Sequence, residues 1–287
     1  MDRSQYYTVS HPGEFTTNWA AFYDQVGTLT NDARNKLDNH LNINYALDND
    51  PKHTLDIYFP REAKNAPVLV FIHGGGFIEG DKDDYGYVAL PFSTRNVITV
   101  VPSYRLAPKY KYPAQINDIR DLLAWVYHNI GTMGGDPKRI YLSGHSAGAI
   151  ISASVALDPS WAILRDLPVD VVKGCFLISA WYDLRKIKAK QMGVYVDAYV
   201  APSFVEAASP ISNITRPPTN NLIAVGTKSN PESLLLEPSQ NLVEKISAKG
   251  VRAKLLVLEG MSHADTALLL ADSDNKLVQE ILEIIGS

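Results

Sequence analysis

Ser146 stands in a five-residue pattern that prepares a hydroxyl group for nucleophilic attack. Residues 144–148 read Gly-His-Ser-Ala-Gly, a match to G-x-S-x-G. In this pattern the serine lies at a sharp turn from strand to helix, where flanking glycines remove the Cβ clashes that would forbid the turn. The strand-like run Arg-Ile-Tyr-Leu precedes it at 139–142, and an Ala- and Ser-rich helical pattern follows it. This context favours a nucleophile over the alternative, a surface serine in a glycine-rich turn.

A run of three glycines supplies candidate hydrogen-bond donors for the same chemistry. Residues 73–77 read His-Gly-Gly-Gly-Phe and directly follow an apolar run. Attack on a carbonyl carbon places negative charge on its oxygen, and preorganised N–H groups stabilise that charge. We predict that the N–H groups of Gly74, Gly75 and Ala147 form this oxyanion hole. Alone, a triple glycine indicates a flexible loop, and neither common phosphate-binding glycine pattern is present.

Seven histidines compete for the role of the base that removes the Ser146 proton. They are His11, His40, His53, His73, His128, His145 and His263. The first three precede the main sheet, His128 lies in a helical pattern, and the register of the two motifs should point His73 and His145 elsewhere. His263 follows the last predicted strand, in the loop 259–263. Its late position fits the order serine, acid, histidine, so we predict it as the general base rather than a solvated loop residue.

The elements that must position these residues alternate between strands and helices. Apolar runs typical of strands covered on both faces occupy 68–73, 97–102, 139–142, 174–179, 221–225 and 253–258. Helical patterns occupy 113–129, 146–157, 234–248 and 266–285. With two earlier strand patterns at 41–47 and 53–58, this alternation predicts a parallel α/β sheet with an antiparallel lead-in.

Two segments, 10–39 and 186–218, fit the alternation poorly. The first carries an aromatic cluster of Phe15, Trp19, Phe22 and Tyr23. Long excursions in compact domains are often functional, and open α/β sheets bind ligands at the carboxyl ends of their strands. We therefore predict one domain over 1–287, with cap elements at about 1–40 and 186–218 that fold over this edge. Ordinary packing against the flank of the domain is the alternative.

The composition excludes several other classes of protein. The 287 residues include 27 Lys and Arg against 31 Asp and Glu, a formal charge of −4, with 46% hydrophobic residues and a pI near 6.0. Disordered chains are less hydrophobic and more charged, and nucleic-acid binders are usually basic. The single cysteine, Cys175, excludes an internal disulfide. The polar segment 1–13 and apolar runs far below the ~20 residues of a bilayer span predict a cytoplasmic protein without a membrane helix.

Several stretches together resemble the α/β-hydrolase superfamily. The H-G-G-G-F loop, Y-R-L-A-P at 104–108, G-D-P-K-R-I at 135–140 and the G-H-S-A-G turn are similar to hormone-sensitive-lipase-like esterases. L-D-I-Y-F-P at 55–60, His145, Y-D-L at 182–184 and A-S-P at 208–210 are more similar to the arylformamidase (kynurenine formamidase) branch. The resemblance implies an α/β-hydrolase fold, a mostly parallel central sheet flanked by helices with a small N-terminal or inserted cap. It also implies a serine hydrolase that works without cofactor or metal.

The resemblance further implies a carboxylate that orients His263, and here the sequence departs from the family. The acid usually follows the strand at 221–225 as G-x-x-D or G-x-x-E, but residues 226–229 read Gly-Thr-Lys-Ser. The nearest acid, Glu232, is the first candidate. Asp183, after the preceding strand, is the second, and capping the turn there is its other expected role. The third is an uncharged orienter, Asn230 or Ser229.

The predicted function is cleavage of a small carboxylic ester or amide through an acyl-enzyme on Ser146. Phe77, Trp181 and Tyr182 stand beside strand ends and are predicted as substrate-binding walls, or else as core. A kynurenine formamidase-type arylformamidase is an alternative. So is a repurposed fold, a cyclase, lyase or ligand receptor, because Ser229 stands where the acid usually stands. The expected partner is the small-molecule substrate and not nucleic acid, and a homodimer is left open.

Overall fold

The computed structural model describes residues 19–187, 193–228 and 232–286, with the backbone alone for Glu232 and Ser233. Within these ranges the strands are β1 (Asp38–Asn44), β2 (Thr54–Phe59), β3 (Ala66–Ile72), β4 (Ile98–Pro102), β5 (Gly135–His145), β6 (Val172–Ile178), β7 (Asn220–Gly226) and β8 (Arg252–Leu258). The α-helices are α1 (Trp19–Lys36), α2 (Ala89–Ser93), α3 (Ala114–Asn129), α4 (Ala147–Ala156), α5 (Val194–Tyr199), α6 (Glu232–Ser247), α7 (His263–Leu268) and α8 (Lys276–Gly286).

The eight strands form one sheet in the order β1-β2-β4-β3-β5-β6-β7-β8. Strand β2 runs antiparallel to both of its neighbours, and every pair from β4 to β8 is parallel. The predicted mostly parallel sheet with an antiparallel lead-in is therefore confirmed. Because β3 and β5 are neighbours, the glycine loop after β3 and the turn after β5 meet at one edge of the sheet.

Apolar side chains on both faces of the sheet explain why the central strands read as continuous apolar runs. Along β3, Val68 and Val70 pack into the core beside α3 and α4, while Leu69 and Phe71 pack into the opposite core. Helices α1, α2 and α8 cover that opposite face. Within the described residues, no single helix is long and apolar enough to cross a bilayer. One pair of helices, Ala147–Ala156 and Pro159–Arg165, has the required length and composition together, but the two are bent by 70° relative to each other.

The predicted helix over 266–285 is wrong, because the chain forms two helices there. Helix α7 ends at Leu268 and α8 begins at Lys276. Between them, Asn275 Oδ1 accepts the N–H of Val278 at 3.0 Å, and Asp272 Oδ1 accepts the N–H of Asp274 at 2.9 Å. These side chains satisfy backbone donors just before α8 and in its first turn, a local alternative to the helical hydrogen bonds of a continuous helix.

Candidate active site

Ser146 lies between β5 and α4 in a backbone conformation that non-glycine residues rarely adopt. Its φ is 55° and its ψ is −124°, and its N–H donates to Ile178 O at 2.9 Å. The turn is crowded, since a Cβ on Gly148 would lie 2.1 Å from Ile72 O and one on Gly144 would lie 2.4 Å from Gly148 O. Glycine is thus required on both sides of Ser146 for this turn to pack against the end of β3.

His263 lies within hydrogen-bond distance of Ser146. Its Nε2 is 3.0 Å from Ser146 Oγ, although 117 residues separate the two in sequence. The histidine is the first residue of α7, whose start is fixed by a capping box between Ser262 and Asp265. The Asp265 carboxylate accepts from the N–H and the hydroxyl of Ser262, so this acid holds the helix end on which His263 stands.

His145 belongs to the site, which corrects the expectation that its register points it elsewhere. Its ring lies 4.7 Å from the ring of His263, and its Nε2 is 3.0 Å from the backbone oxygen of His263. Burial, together with the neighbouring His263, holds the pKa of His145 well below its usual range. A neutral His145 with its proton on Nε2 donates to that oxygen and fixes the backbone of His263.

The glycine loop after β3 lies against Ser146 and is held by His73. The Nδ1 of His73 is 2.7 Å from Gly74 O, and its ring stacks on Tyr104 at 4.3 Å. Burial lowers the pKa of His73 to about 4, so the ring is neutral and Nδ1–H donates. A Cβ on Gly74 would lie 3.2 Å from Ser146 Cβ. Among the described residues, the amides of Gly74 and Gly75 donate to no backbone carbonyl.

Helix α4 begins at Ala147, immediately after Ser146. The first N–H groups of an α-helix have no intrahelical acceptor. The Ala147 amide therefore stands at the positive end of a ten-residue helix, next to the Ser146 hydroxyl and facing the same edge of the sheet as the glycine loop.

Of the candidates for the group that orients His263, the structure describes the side chain of Asp183 alone. Asp183 accepts from Arg185 Nε at 2.7 Å and from the N–H of Arg185 at 3.3 Å, so its carboxylate caps the turn after β6. Arg185 holds the pKa of Asp183 below its usual value. Asn230 and Ser229 lie outside the described residues, and so does the side chain of Glu232, the residue at which α6 begins.

Two clefts are lined by Ser146. The first, here called the His263 cleft, is narrow, with a cavity volume of about 30 Å³. It is lined beside Ser146, His145 and His263 by Trp19, Phe22, Tyr23, Glu79, Tyr85 and Tyr195. Three of these side chains come from α1, which shows that the N-terminal aromatic cluster reaches the site through its described members.

The second cleft, here called the Trp181 cleft, has a cavity volume of about 20 Å³ and mainly apolar walls. It is lined beside Ser146 and Ala147 by Phe77, Ile150, Trp181, Leu184, Ile187 and Val196, and it shares Gly76 and Tyr195 with the His263 cleft. The structure thus brings Phe77 and Trp181 to the site, and the ring of Phe77 stacks on Tyr199 at 3.8 Å. Tyr182 is not brought there, since its side chain is fully buried in the core cluster below the sheet edge.

Four residues line the site although the sequence alone does not predict them there: Glu79, Tyr85, Tyr195 and His145. Glu79 follows the glycine loop by three residues and lies in the His263 cleft, so an acid close behind the H-G-G-G-F motif was an available signal. Tyr195 reaches the site from α5, whose register relative to the sheet no local pattern reveals. Arg105 has a structural role, because its Nε donates to Asp118 Oδ1 at 3.0 Å.

The chain matches the family described as alpha/beta hydrolase fold over residues 69–266, and it belongs to that family. The glycine loop, the turn at Ser146 and the histidine of α7 all fall within the matched residues. Among curated proteins, the kynurenine formamidase of Salmo salar is 26% identical over 262 residues, covering 90% of this chain and 85% of the relative. The resemblance to both the esterase and the arylformamidase branches is confirmed.

Other relatives carry esterase names. A protein of Oryza sativa named as a probable isoprenylcysteine alpha-carbonyl methylesterase is 27% identical over 267 residues, which span 82% of this chain and 61% of the relative. The chain thus matches about three fifths of the length of that relative. Among solved structures, esterase B of Lactobacillus rhamnosis superposes with a TM-score of 0.75 at 21% identity, over 93% of this chain and 91% of the other. At this identity the superposition supports the fold alone.

Proposed function

We propose that this protein is a serine hydrolase that cleaves small carboxylic esters through an acyl-enzyme on Ser146. One observation carries the proposal: His263 Nε2 lies 3.0 Å from the Oγ of a serine held at φ 55° between a strand and a helix. A hydroxyl group becomes a useful nucleophile when a positioned base accepts its proton, and this distance is suitable for that transfer.

The reaction proceeds in two halves around the same atoms. Ser146 Oγ attacks the substrate carbonyl carbon while His263 Nε2 accepts the hydroxyl proton. The N–H groups of Gly74, Gly75 and Ala147 stabilise the negative oxygen of the tetrahedral intermediate, as proposed from the sequence. His263 then gives the proton to the leaving alcohol, which departs. Water attacks the acyl-enzyme with His263 again as the base, releasing the acid and restoring Ser146.

Glu232 remains our proposal for the carboxylate that orients His263. The turn-capping bonds of Asp183 to Arg185 give that competing acid a structural task. An acid partner would fix the histidine tautomer that keeps Nε2 free to accept a proton and would stabilise the imidazolium formed during attack.

A kynurenine formamidase-type reaction is the second candidate, favoured by the similarity to the Salmo salar enzyme. N-formylkynurenine carries an amino-acid carboxylate in its leaving portion. The described residues that line the His263 cleft include the acid Glu79 and neither lysine nor arginine. A buried acid opposes a second carboxylate, so the cleft supports esters with neutral or cationic leaving groups better.

Turnover of p-nitrophenyl acetate tests the proposal. We expect the wild-type protein to release p-nitrophenol and Ser146→Ala to lose this activity by about 10⁴-fold or more. Ser154→Ala is the matched control, since the same change on α4 removes only a hydroxyl that donates to Ile150 O. This control should retain wild-type turnover. Absence of turnover in the wild type, or equal turnover in Ser146→Ala, would refute the hydrolase and favour a ligand-binding protein.

A further inference from the structure

Glu79 places a buried carboxyl group inside the His263 cleft. The residue is 5% exposed and lines the same cleft as Ser146 and His263. Tyr23, on helix α1, donates its hydroxyl to Glu79 Oε1 at 3.3 Å. Burial raises the pKa of the Tyr195 and Tyr85 phenols, and the nearby Glu79 carboxyl raises both further. The acid thus lines the cleft together with Tyr23 of α1, Tyr195 of α5 and Tyr85 of the segment after β3.

The walls around Glu79 are aromatic. The rings of Trp19 and Phe22 pack edge to face at 5.5 Å, and Phe22 and Tyr23 pack at 5.4 Å. Tyr85 and Tyr195 complete the lining. Aromatic faces attract cations electrostatically, and this attraction strengthens where water is displaced. An acid among aromatic rings is therefore a suitable environment for an organic cation.

The chemistry decides which part of a substrate enters this cleft. His263 gives its proton to the leaving group, so the leaving group must lie on the His263 side of Ser146. The Trp181 cleft, which includes Ala147 and apolar walls, is then left for the acyl group. The alcohol portion of an ester consequently faces Glu79 and the aromatic rings.

We propose that Glu79 and the surrounding aromatic rings bind an ammonium group on the alcohol portion of the substrate, so that the preferred substrates are short-chain esters of amino alcohols. This inference rests on the proposed hydrolase function. Burial raises the pKa of Glu79 to about 7, so its charge and the preference grow above that pH. Among the described residues, the other titratable groups that line the cleft are Tyr23, Tyr85, Tyr195, His145 and His263.

Two butyrate esters of the same shape test the inference. The butyrate ester of choline carries a permanent ammonium charge, and 3,3-dimethylbutyl butyrate replaces that nitrogen with carbon. At pH 8 we expect the wild type to favour the choline ester in kcat/KM by about tenfold or more. Glu79→Gln should bring this ratio close to one. Glu244→Gln, the same change at an exposed position on α6, is the matched control and should keep the wild-type ratio.

The outcomes separate this inference from the proposed function. The ammonium site would be overturned if the wild type had a kcat/KM ratio near one, or if Glu79→Gln lost kcat/KM equally on both esters. In either case, continued hydrolysis of p-nitrophenyl acetate would leave the proposed function standing. Absence of that hydrolysis would instead overturn the proposed function. A second test uses the wild type alone and measures inhibition of p-nitrophenyl acetate turnover by the two free alcohols. Choline should inhibit at concentrations about tenfold lower than 3,3-dimethylbutanol. Equal inhibition by the two alcohols would also overturn the inference.

Discussion

The two clefts beside Ser146 differ in chemistry although they share the same nucleophile. The His263 cleft contains a buried acid, Glu79, among aromatic rings, and part of its wall comes from α1. The Trp181 cleft is mainly apolar, and its walls come from α4, from α5 and from the segments directly after β3 and β6. Under the proposed function, we expect the two halves of a substrate to bind in different clefts. The His263 cleft would select the leaving group, and the Trp181 cleft would limit the acyl chain.

Substitutions that disturb Ser146 and His263, between the two clefts, should reduce turnover more than any substitution in either cleft. We expect Glu232→Gln to reduce turnover of all esters by up to ~10⁴-fold, because His263 would lose its tautomer control. Asp183→Asn is the matched control and should change turnover little, since Asp183 is bonded to Arg185. Steady-state kinetics with p-nitrophenyl acetate measure both. Retained activity in Glu232→Gln, with a large loss in Asn230→Ala or Ser229→Ala, would assign the orienting role to an uncharged residue.

The apolar cleft should respond to side-chain size. Ile150→Ala enlarges the Trp181 cleft, and we expect the kcat/KM ratio of p-nitrophenyl octanoate to acetate to rise by about tenfold or more. Ile151→Ala is the control, because Ile151 is buried in the core on the same helix and does not line the cleft. A similar ratio in both variants would contradict the assignment of this cleft to the acyl chain.

The buried acid should impose a pH dependence on stability. The folded pKa of Glu79, about 7, exceeds its ordinary value of 4.5, so the folded state binds more protons between these values. The contribution of this residue to the free energy of unfolding therefore falls as the pH rises through this window, by about 1 to 3 kcal/mol. His73 and His145, buried and neutral, contribute in the opposite direction in every variant, so the Glu79 contribution is the difference between variants. Urea unfolding at pH 5 and pH 8 should show Glu79→Gln gaining stability relative to the wild type at the higher pH, while Glu244→Gln follows the wild type. An equal pH dependence in Glu79→Gln and the wild type would contradict the raised pKa of Glu79.

The smallest expected effect concerns Tyr23. Its hydroxyl lowers the pKa of Glu79 by donating a hydrogen bond, so Tyr23→Phe should raise that pKa further. The kcat/KM ratio of the choline ester to the dimethylbutyl ester rises with pH, and the midpoint of this rise should move upward by less than about one pH unit. Profiles of the choline to dimethylbutyl ratio from pH 5.5 to 9 measure the midpoint. An unchanged or lowered midpoint would contradict the contact.

The sequence predicted the centre of the site better than its walls. Glycine, serine and histidine motifs are local, and the alternation of strands and helices predicts that they meet at one sheet edge. By contrast, Tyr195 and Glu79 meet only because α5 folds back over the loop after β3, and no periodicity within either segment specifies that contact. The separation of α7 from α8 has a partial signal in the sequence, because Asp272, Asp274 and Asn275 interrupt the apolar pattern there.

Labelling with a fluorophosphonate tests the central claim most directly, because a phosphonyl group is transferred only to an activated nucleophile. Intact-mass analysis and tandem mass spectrometry of the treated protein give the stoichiometry and the position of the label. We predict one phosphonyl group per chain, on Ser146, with p-nitrophenyl acetate turnover lost in proportion, and no label in Ser146→Ala or His263→Ala. A label on another residue, or full turnover after complete labelling of Ser146, would contradict the account.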